Sequence, residues 1–229
     1  LSVVSMAEIN IVNWSDTKDV TVNSVSTDDM KVSGDGSYQS SGNPKYMDFR
    51  MFLLGYGINN GIIFENKNTI DLNGGYNSGL LIINNSQAVN SGIININGTG
   101  GIGLFTGDGT GTLVNQESGV ITVTNSGKGM ASAGWPYYNF TGIIENNGSI
   151  VEGSGTGISI GGNIDIQGGT AVNDGKIQLN GGGESTGVYV AGYNNFINNG
   201  EISGTAAGTD QTTLVSANNQ AQIVNAENG

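Results

Sequence analysis

The chain has no cysteine and no histidine, and its only basic residues are Arg50 and six lysines. Each absence removes a class of function. Without His or Cys, neither a Ser-His-Asp nor a Cys-His arrangement can be assembled from these residues, and the common zinc sites are excluded too. Without a basic stripe nothing neutralises phosphates, so nucleic acid is not a partner. The net charge of −12 likewise opposes an anionic membrane surface. The lack of Cys suits a cytosolic protein, and equally a secreted chain that stays unfolded while threading through a membrane. Only 2 prolines occur in 229 residues. No apolar run approaches the ~18 residues of a membrane-spanning helix, and no signal peptide is legible at Leu1-Ser2-Val3. Helical periodicity is missing as well: no long stretch keeps apolar residues at helical spacing without a Gly interrupting it.

What the chain has instead is 40 glycines and a returning phrase. An Asn is followed two to four residues later by a Gly and then by aliphatics in alternation. It reads Asn90-Ser91-Gly92-Ile93-Ile94-Asn95-Ile96, Asn115 to Gly119 before Val120-Ile121-Thr122-Val123, Asn146-Asn147-Gly148-Ser149-Ile150, Asn173-Asp174-Gly175-Lys176-Ile177 and Asn198-Asn199-Gly200-Glu201-Ile202. Asn66-Lys67-Asn68-Thr69-Ile70 is a first copy with Asn68 in the Gly place. Anchored on Ile70, Ile94, Ile121, Ile150, Ile177 and Ile202, the intervals are 24, 27, 29, 27 and 25 residues. A second phrase, Gly then aliphatics, recurs at Gly79, Gly101, Gly129, Gly157 and Gly187. Alternation with period two between Gly and Asn is a strand signal, and a period in the twenties is that of a solenoid.

The sequence therefore predicts an all-β fold, a parallel β-helix of about 24–29 residues per turn and six to seven turns over residues 56–229, with residues 1–55 as an N-terminal cap and degenerate first turn. The six anchoring isoleucines form one inward column. Leu72, Ile96, Val123 and Leu179 form a second, which Glu152 and Gly204 interrupt, so those turns are expected to bend or widen. Between the columns Asp71, Asn95, Thr122, Val151, Gln178 and Ser203 face solvent. The repeated Asn and Gly are expected at corners, where both tolerate positive φ and stacked amides bond one another. In the cap, Ile9–Val12, Val20–Val22, Met30–Gly34 and Met51–Leu54 read as strands and Gly34–Lys45 as a loop. The last residues, Ile223 to Gly229, repeat the opening of the unit at Leu113 to Gly119, so the sequence reads as a piece of a longer chain.

Asn-x-Gly-x-Ile phrases at this spacing, no Cys, few charges and abundant Asn, Gly, Ser and Thr make residues 56–229 resemble the passenger region of a Gram-negative type V autotransporter. More narrowly, the chain is similar to the very large Asn- and Gly-rich fusobacterial outer-membrane adhesins. That resemblance implies a right-handed parallel β-helix with three strands per turn, exported across the outer membrane and anchored at the cell surface by a C-terminal β-barrel lying outside this sequence. It also implies a non-catalytic adhesin, binding surface and rigid stalk in one, that attaches bacteria to host cells or to other bacteria through a surface protein or glycan. No cofactor, metal or membrane insertion of this segment is expected, and the chain is expected to be a monomer.

The longest interval, Ile121 to Ile150, carries Trp135, Pro136, Tyr137, Tyr138 and Phe140 in a chain only 7% aromatic. Solenoids expel insertions as loops, and rigid amphipathic aromatics are favoured anchors for proteins and sugars. Trp135, Tyr137, Tyr138, Phe140 and Tyr193 are thus the candidate binding residues. The competing reading has Trp135 and Phe140 folded back as a plug. Tyr56, Tyr76, Tyr189 and Tyr193, near Gly-rich corners, are expected to stack between turns. Gly107-Asp108-Gly109 and Gly161 to Asp165 faintly resemble calcium turns, but the full nine-residue unit is absent.

The alternative function is a polysaccharide lyase or glycosidase, since parallel β-helices host both. Glycoside hydrolysis needs carboxylates about 5–9.5 Å apart, hence acids at matching positions in adjacent turns. Glu65 and Glu145 match but lie three turns apart, and the acids Asp28, Asp29, Asp35 and Asp48 read as a solvated cluster. The sequence reading is therefore not an enzyme.

Overall fold

A computed structural model describes residues 9–11, 25–26, 30–32, 39–40, 47–48, 63–67, 69–73, 78–82, 87–106, 110–132, 141–160, 167–180, 183–205 and 211–226. Among them there is no helix. The chain winds as a parallel β-solenoid of about five turns with about 27 residues per turn. The six phrases from Ile70 to Ile202 enclose five full intervals, and the nineteen strands between Ile63 and Asn225, three to a turn, make up the six to seven rungs expected.

Each turn gives one strand to each of three sheets. Sheet I contains Thr69–Leu72, Ile93–Ile96, Val120–Val123, Ser149–Glu152, Lys176–Leu179 and Glu201–Gly204. Sheet II contains Ser78–Ile82, Ile102–Thr106, Gly127–Ser132, Gly155–Ile160, Ser185–Val190 and Thr212–Ala217. Sheet III contains Ile63–Asn66, Gln87–Asn90, Thr112–Asn115, Ile143–Asn146, Gln167–Asn173, Tyr193–Asn198 and Gln222–Asn225. Neighbouring strands pair in parallel and in register, so Ile70, Ile94, Ile121, Ile150, Ile177 and Ile202 stack as the first column requires. The first five are fully buried and Ile202 partly so. Leu80, Leu104, Met130, Ile158 and Val188 line the core from sheet II, and Ala88, Leu113, Ile144, Ala171 and Phe196 line it from sheet III. Each fully buried aliphatic contributes about 1.5–3 kcal/mol.

Two short strands of the N-terminal region, Ile9–Ile11 and Met30–Val32, continue sheet I beneath Thr69–Leu72, and Val25–Ser26 lies beneath Ile63–Asn66 in sheet III. Met30 pairs with Ile70 although forty residues separate them. Within that interval Gln39–Ser40 pairs antiparallel with Met47–Asp48, so part of the expected Gly34–Lys45 loop is a strand. The strands expected at Val20–Val22 and Met51–Leu54 lie outside the described residues.

The corners between the sheets differ in kind. From sheet III to sheet I the connection is two residues in every turn but one, and that one, Gln116 to Gly119, has four. The Asn closing each of the first six sheet III strands is buried there and donates to its equivalent in the next turn. Asn66 Nδ2 reaches Asn90 Oδ1 at 2.8 Å, Asn90 reaches Asn115 at 2.9 Å, Asn115 reaches Asn146 at 2.9 Å and Asn146 reaches Asn173 at 2.7 Å. Asn173 to Asn198 and Asn198 to Asn225, each at 2.8 Å, complete the ladder. The same amide groups also donate to corner carbonyls, as from Asn90 to Gly92 O at 3.1 Å.

Positive φ is not the reason for this chemistry, contrary to the sequence expectation. None of the ladder Asn residues, and none of the glycines beside them, is among the described residues with positive φ. Gly148 and Gly175 are required by close approach instead: a Cβ on Gly148 would strike the carbonyls of Gln116 and Gly119, and one on Gly175 would strike that of Gly148.

A second glycine column runs through sheet II. A Cβ on Gly129 would lie 2.7 Å from the Gly157 carbonyl oxygen and 3.3 Å from Ile150 Cγ2. Gly129→Ala is therefore expected to cost about 1–3 kcal/mol in a urea melt, since backbone must move. Gly153, where a Cβ would meet nothing closer than 3.7 Å, is the control. Gly153→Ala is expected to be neutral or stabilising by up to about 1 kcal/mol, through the unfolded chain.

Candidate functional site

The two interruptions of the second inward column do not break the register. Val123, Glu152 and Leu179 pair in register, and so do Leu179 and Gly204. Glu152 thus points into the core as a fully buried carboxyl. Ile96 and Leu179 each set a methyl against a sheet II glycine, Gly103 and Gly187; Glu152 sets Oε1 against Gly157 in the same way. Neither carboxyl oxygen has a hydrogen-bond partner. Burial pushes its pKa up to about 9; the backbone N–H of Gly157 pulls the other way but is not placed to form a hydrogen bond. The group is neutral at physiological pH, sealed from solvent and unable to act on a substrate. The sequence marked Glu152 as an exception but not as a protonated acid, because matching register alone says nothing of how a column accommodates it.

Insertions gather at the other two corners. From sheet I to sheet II the connections run from two to seven residues, and from sheet II to sheet III from two to ten. The ten-residue connection joins Ser132 to Ile143 and holds the expected aromatic loop. Trp135, Tyr137, Tyr138 and Phe140 lie outside the described residues, but the points where the loop leaves and returns are fixed. Thr141 Cγ2 is 3.5 Å from where a Cβ on Gly168 would stand, one turn on, and Gln167 beside it is the register partner of Tyr193, one turn further. Tyr193 is 42% exposed and Ile143 is 40% exposed. The loop's return and Tyr193 therefore share one corner, two turns or about 10 Å apart at ordinary strand spacing. Asn194, buried beside Tyr193, fixes this corner by accepting from Gly169 N at 3.0 Å and donating to the carbonyl of Ala191.

Stacking of tyrosines between turns is not found for the two that are described. Tyr189 has Ser159 and Ser216 as register partners and Tyr193 has Gln167. Tyr56 and Tyr76 lie outside the described residues, as do the turns at Gly107–Gly109 and Gly161–Asp165.

Three acids, Glu117, Asp174 and Glu201, lie at the third corner. Its glycine floor, walled by Glu117, Ser149, Asp174, Lys176 and Glu201, forms an open groove of about 520 Å3. Lys176 stands 3.7 Å from Glu201 with both side chains largely exposed, an ion pair worth little. Glu65 and Glu145 occupy one outward column of sheet III with Val89 and Val114 between them, as their spacing predicts. Among the described residues no three acids converge closely enough to hold a metal ion, and no helix is long and apolar enough to cross a membrane.

Compared with protein-family models, curated proteins and solved structures, the chain gives no match.

Proposed function

We propose that the chain is a non-catalytic segment of a cell-surface adhesin, a rigid stalk that presents a binding surface where sheet II turns into sheet III. The observation that carries this reading is the segregation of the corners: the ladder corner is nearly invariant, while the sheet II to sheet III corner has the longest connection, ten residues between Ser132 and Ile143, and carries the exposed Ile143 and Tyr193. A solenoid that holds one corner constant and varies the other two has the form of a scaffold for contact. The resemblance to autotransporter passengers supports export and anchoring by a C-terminal β-barrel. The partner is a host or bacterial surface protein or glycan, and the chain's acidity favours a neutral or basic one.

Changing Trp135, Tyr137 and Tyr138 together to Ala tests this. Attachment of cells displaying the protein is expected to fall about tenfold or more, the equivalent of losing one anchoring contact, with an unchanged melting temperature. Unchanged attachment with a lowered melting temperature would make the loop a plug.

A second reading, a polysaccharide-degrading β-helix enzyme, has one observation in its favour: the groove that carries Glu117, Asp174 and Glu201 along the coil axis. No release of reducing ends or unsaturated sugars from common polysaccharides is expected. Release that disappears in Glu201→Gln would replace the adhesin reading with this one.

A further inference from the structure

Sheet II changes character on its outer face partway along the coil. In the earlier turns this face is mostly apolar and buried: Ile102, Phe105 and Ala131 are all shielded from solvent. In the turns that follow, every outward position carries a hydroxyl. Thr156, Thr186 and Thr213 are register partners in one column, and Ser159, Tyr189 and Ser216 in the next. The residues between them, Ile158 and Val188, face the core.

Beside the threonine column, where sheet I turns into sheet II, lies a groove of about 270 Å3 whose lining includes Ser126, Thr156, Glu184, Thr186, Gln211 and Thr213. No Val, Leu, Ile or aromatic residue lines it. Its edge is held by backbone: Gly155 N donates to Glu184 O at 3.1 Å, and Ser185 N to Gln211 O at 3.0 Å. Glu184 and Gln211 therefore stand side by side on successive turns, both exposed.

The chemistry of this lining selects its occupant. Threonine hydroxyls donate and accept, the Gln211 amide does both through separate atoms, and the Glu184 carboxylate accepts only. Such a set is satisfied by a ligand that is itself dense in hydroxyls, whereas an apolar ligand would leave it unpaired. Tyr189 adds an aromatic ring. It lies in the same strand as Thr186, three residues further on, which is about 10 Å at ordinary strand rise. Its register partners are serines, Ser159 and Ser216, too short to shield the ring, and it is partly exposed. An apolar ring face with a polar tip suits the face of a sugar ring with its hydroxyl rim.

We propose that this outer face of sheet II is a binding site for an uncharged oligosaccharide: Glu184, Thr186 and Gln211 hydrogen-bond one sugar ring in the groove, and Tyr189 packs against another along the strand. Glu184 and the net charge of −12 disfavour sialylated and uronate-containing chains. Lys128, which precedes Thr156 in its column, does not line the groove. The site shares no residue with the aromatic loop between Ser132 and Ile143.

The test screens the soluble full chain against neutral tetrasaccharides of glucose, galactose and N-acetylglucosamine, with sialyllactose as the charged comparison. The tightest neutral binder is then titrated while backbone amide NMR shifts are followed. The largest shifts are expected at residues 184–189 and 211–213, and affinity is expected to fall about tenfold or more in Tyr189→Ala and in Glu184→Ala, with the folded circular dichroism signal retained. Thr186→Val, which keeps the shape and loses the hydroxyl, carries the same comparison if Tyr189→Ala does not fold. Binding of none of the neutral probes overturns the proposal, as does a preference for sialyllactose, a set of shifts confined to other residues, or an affinity unchanged in these variants. Cell attachment does not enter this readout, so the failure of this site and the failure of the aromatic-loop reading are distinguishable.

Discussion

Glu152→Leu raises the melting temperature, and raises it more at pH 8 than at pH 5. The folded-state pKa of Glu152 is pushed up to about 9 from a usual 4.5 by burial in the column between Val123 and Leu179. Between those two values the folded chain holds a proton that the unfolded chain has released, so stability falls as pH rises. The penalty is absent below pH 4.5, grows by about 1.4 kcal/mol per pH unit, and reaches roughly 4 kcal/mol at pH 7.5. The window is unusually clean because the chain has no His and no Cys to titrate within it. Glu152→Gln, which keeps the shape of the protonated acid, is expected to flatten the pH profile from about pH 5.5 to 8.5, and Glu152→Leu to flatten it and lie higher still. Thermal melts at half-unit pH steps decide the matter. A natural chain whose melting temperature is level across that window would mean that the carboxyl reaches water.

The largest loss is expected from Ile121→Asp. Ile121 is fully buried with Ile94 and Ile150 on either side of it in the first column. The substitution removes about 2–3 kcal/mol of apolar burial and installs a carboxylate with no partner, for which Glu152 supplies the local precedent. Together these come to on the order of 5–7 kcal/mol near neutral pH, comparable to the whole stability of an ordinary domain. Thr122→Asp, one residue along and on the outer face, is expected to change stability by less than about 0.5 kcal/mol. Urea titrations of the two variants read the difference directly, and similar midpoints would mean that the inner and outer faces have been exchanged.

How far the fold could be read from the sequence depended on the range over which each choice is made. The inward columns were legible because each is a local repeat, the same residue type at the same place in every phrase, and a parallel register turns that repeat into contact. The stacking of Asn90, Asn115, Asn146, Asn173 and Asn198 was legible for the same reason. The role of the corner glycines was misread, since a single sequence cannot distinguish a glycine needed for positive φ from one needed because another turn's carbonyl passes within contact of its Cα. The interruption at Gly204 was visible, but not that Leu214 Cδ2 would stand 3.4 Å from a Cβ there, because Leu214 lies on another sheet. The candidate site was legible only as an insertion rich in aromatics. That its return point shares a corner with Tyr193 follows from the course of the chain through Gly168, and no spacing in the sequence announces it.

The asparagine ladder has a consequence for how such a chain can change over generations. Alignment of one turn on the next is checked amide against amide at a single corner, not measured out in residues, so the distance travelled between two checkpoints is left free. That freedom is already in use: consecutive ladder asparagines are from 24 to 31 residues apart, yet each bond is between 2.7 and 2.9 Å. Doubling a loop costs only about 0.6 kcal/mol in closure entropy. Insertions and deletions at the two permissive corners are thus small perturbations, whereas a single residue gained beside a ladder Asn shifts every side chain after it to the wrong face until the next checkpoint. A gene built on this plan can try new surface loops one at a time, each edit confined to the turn in which it occurs.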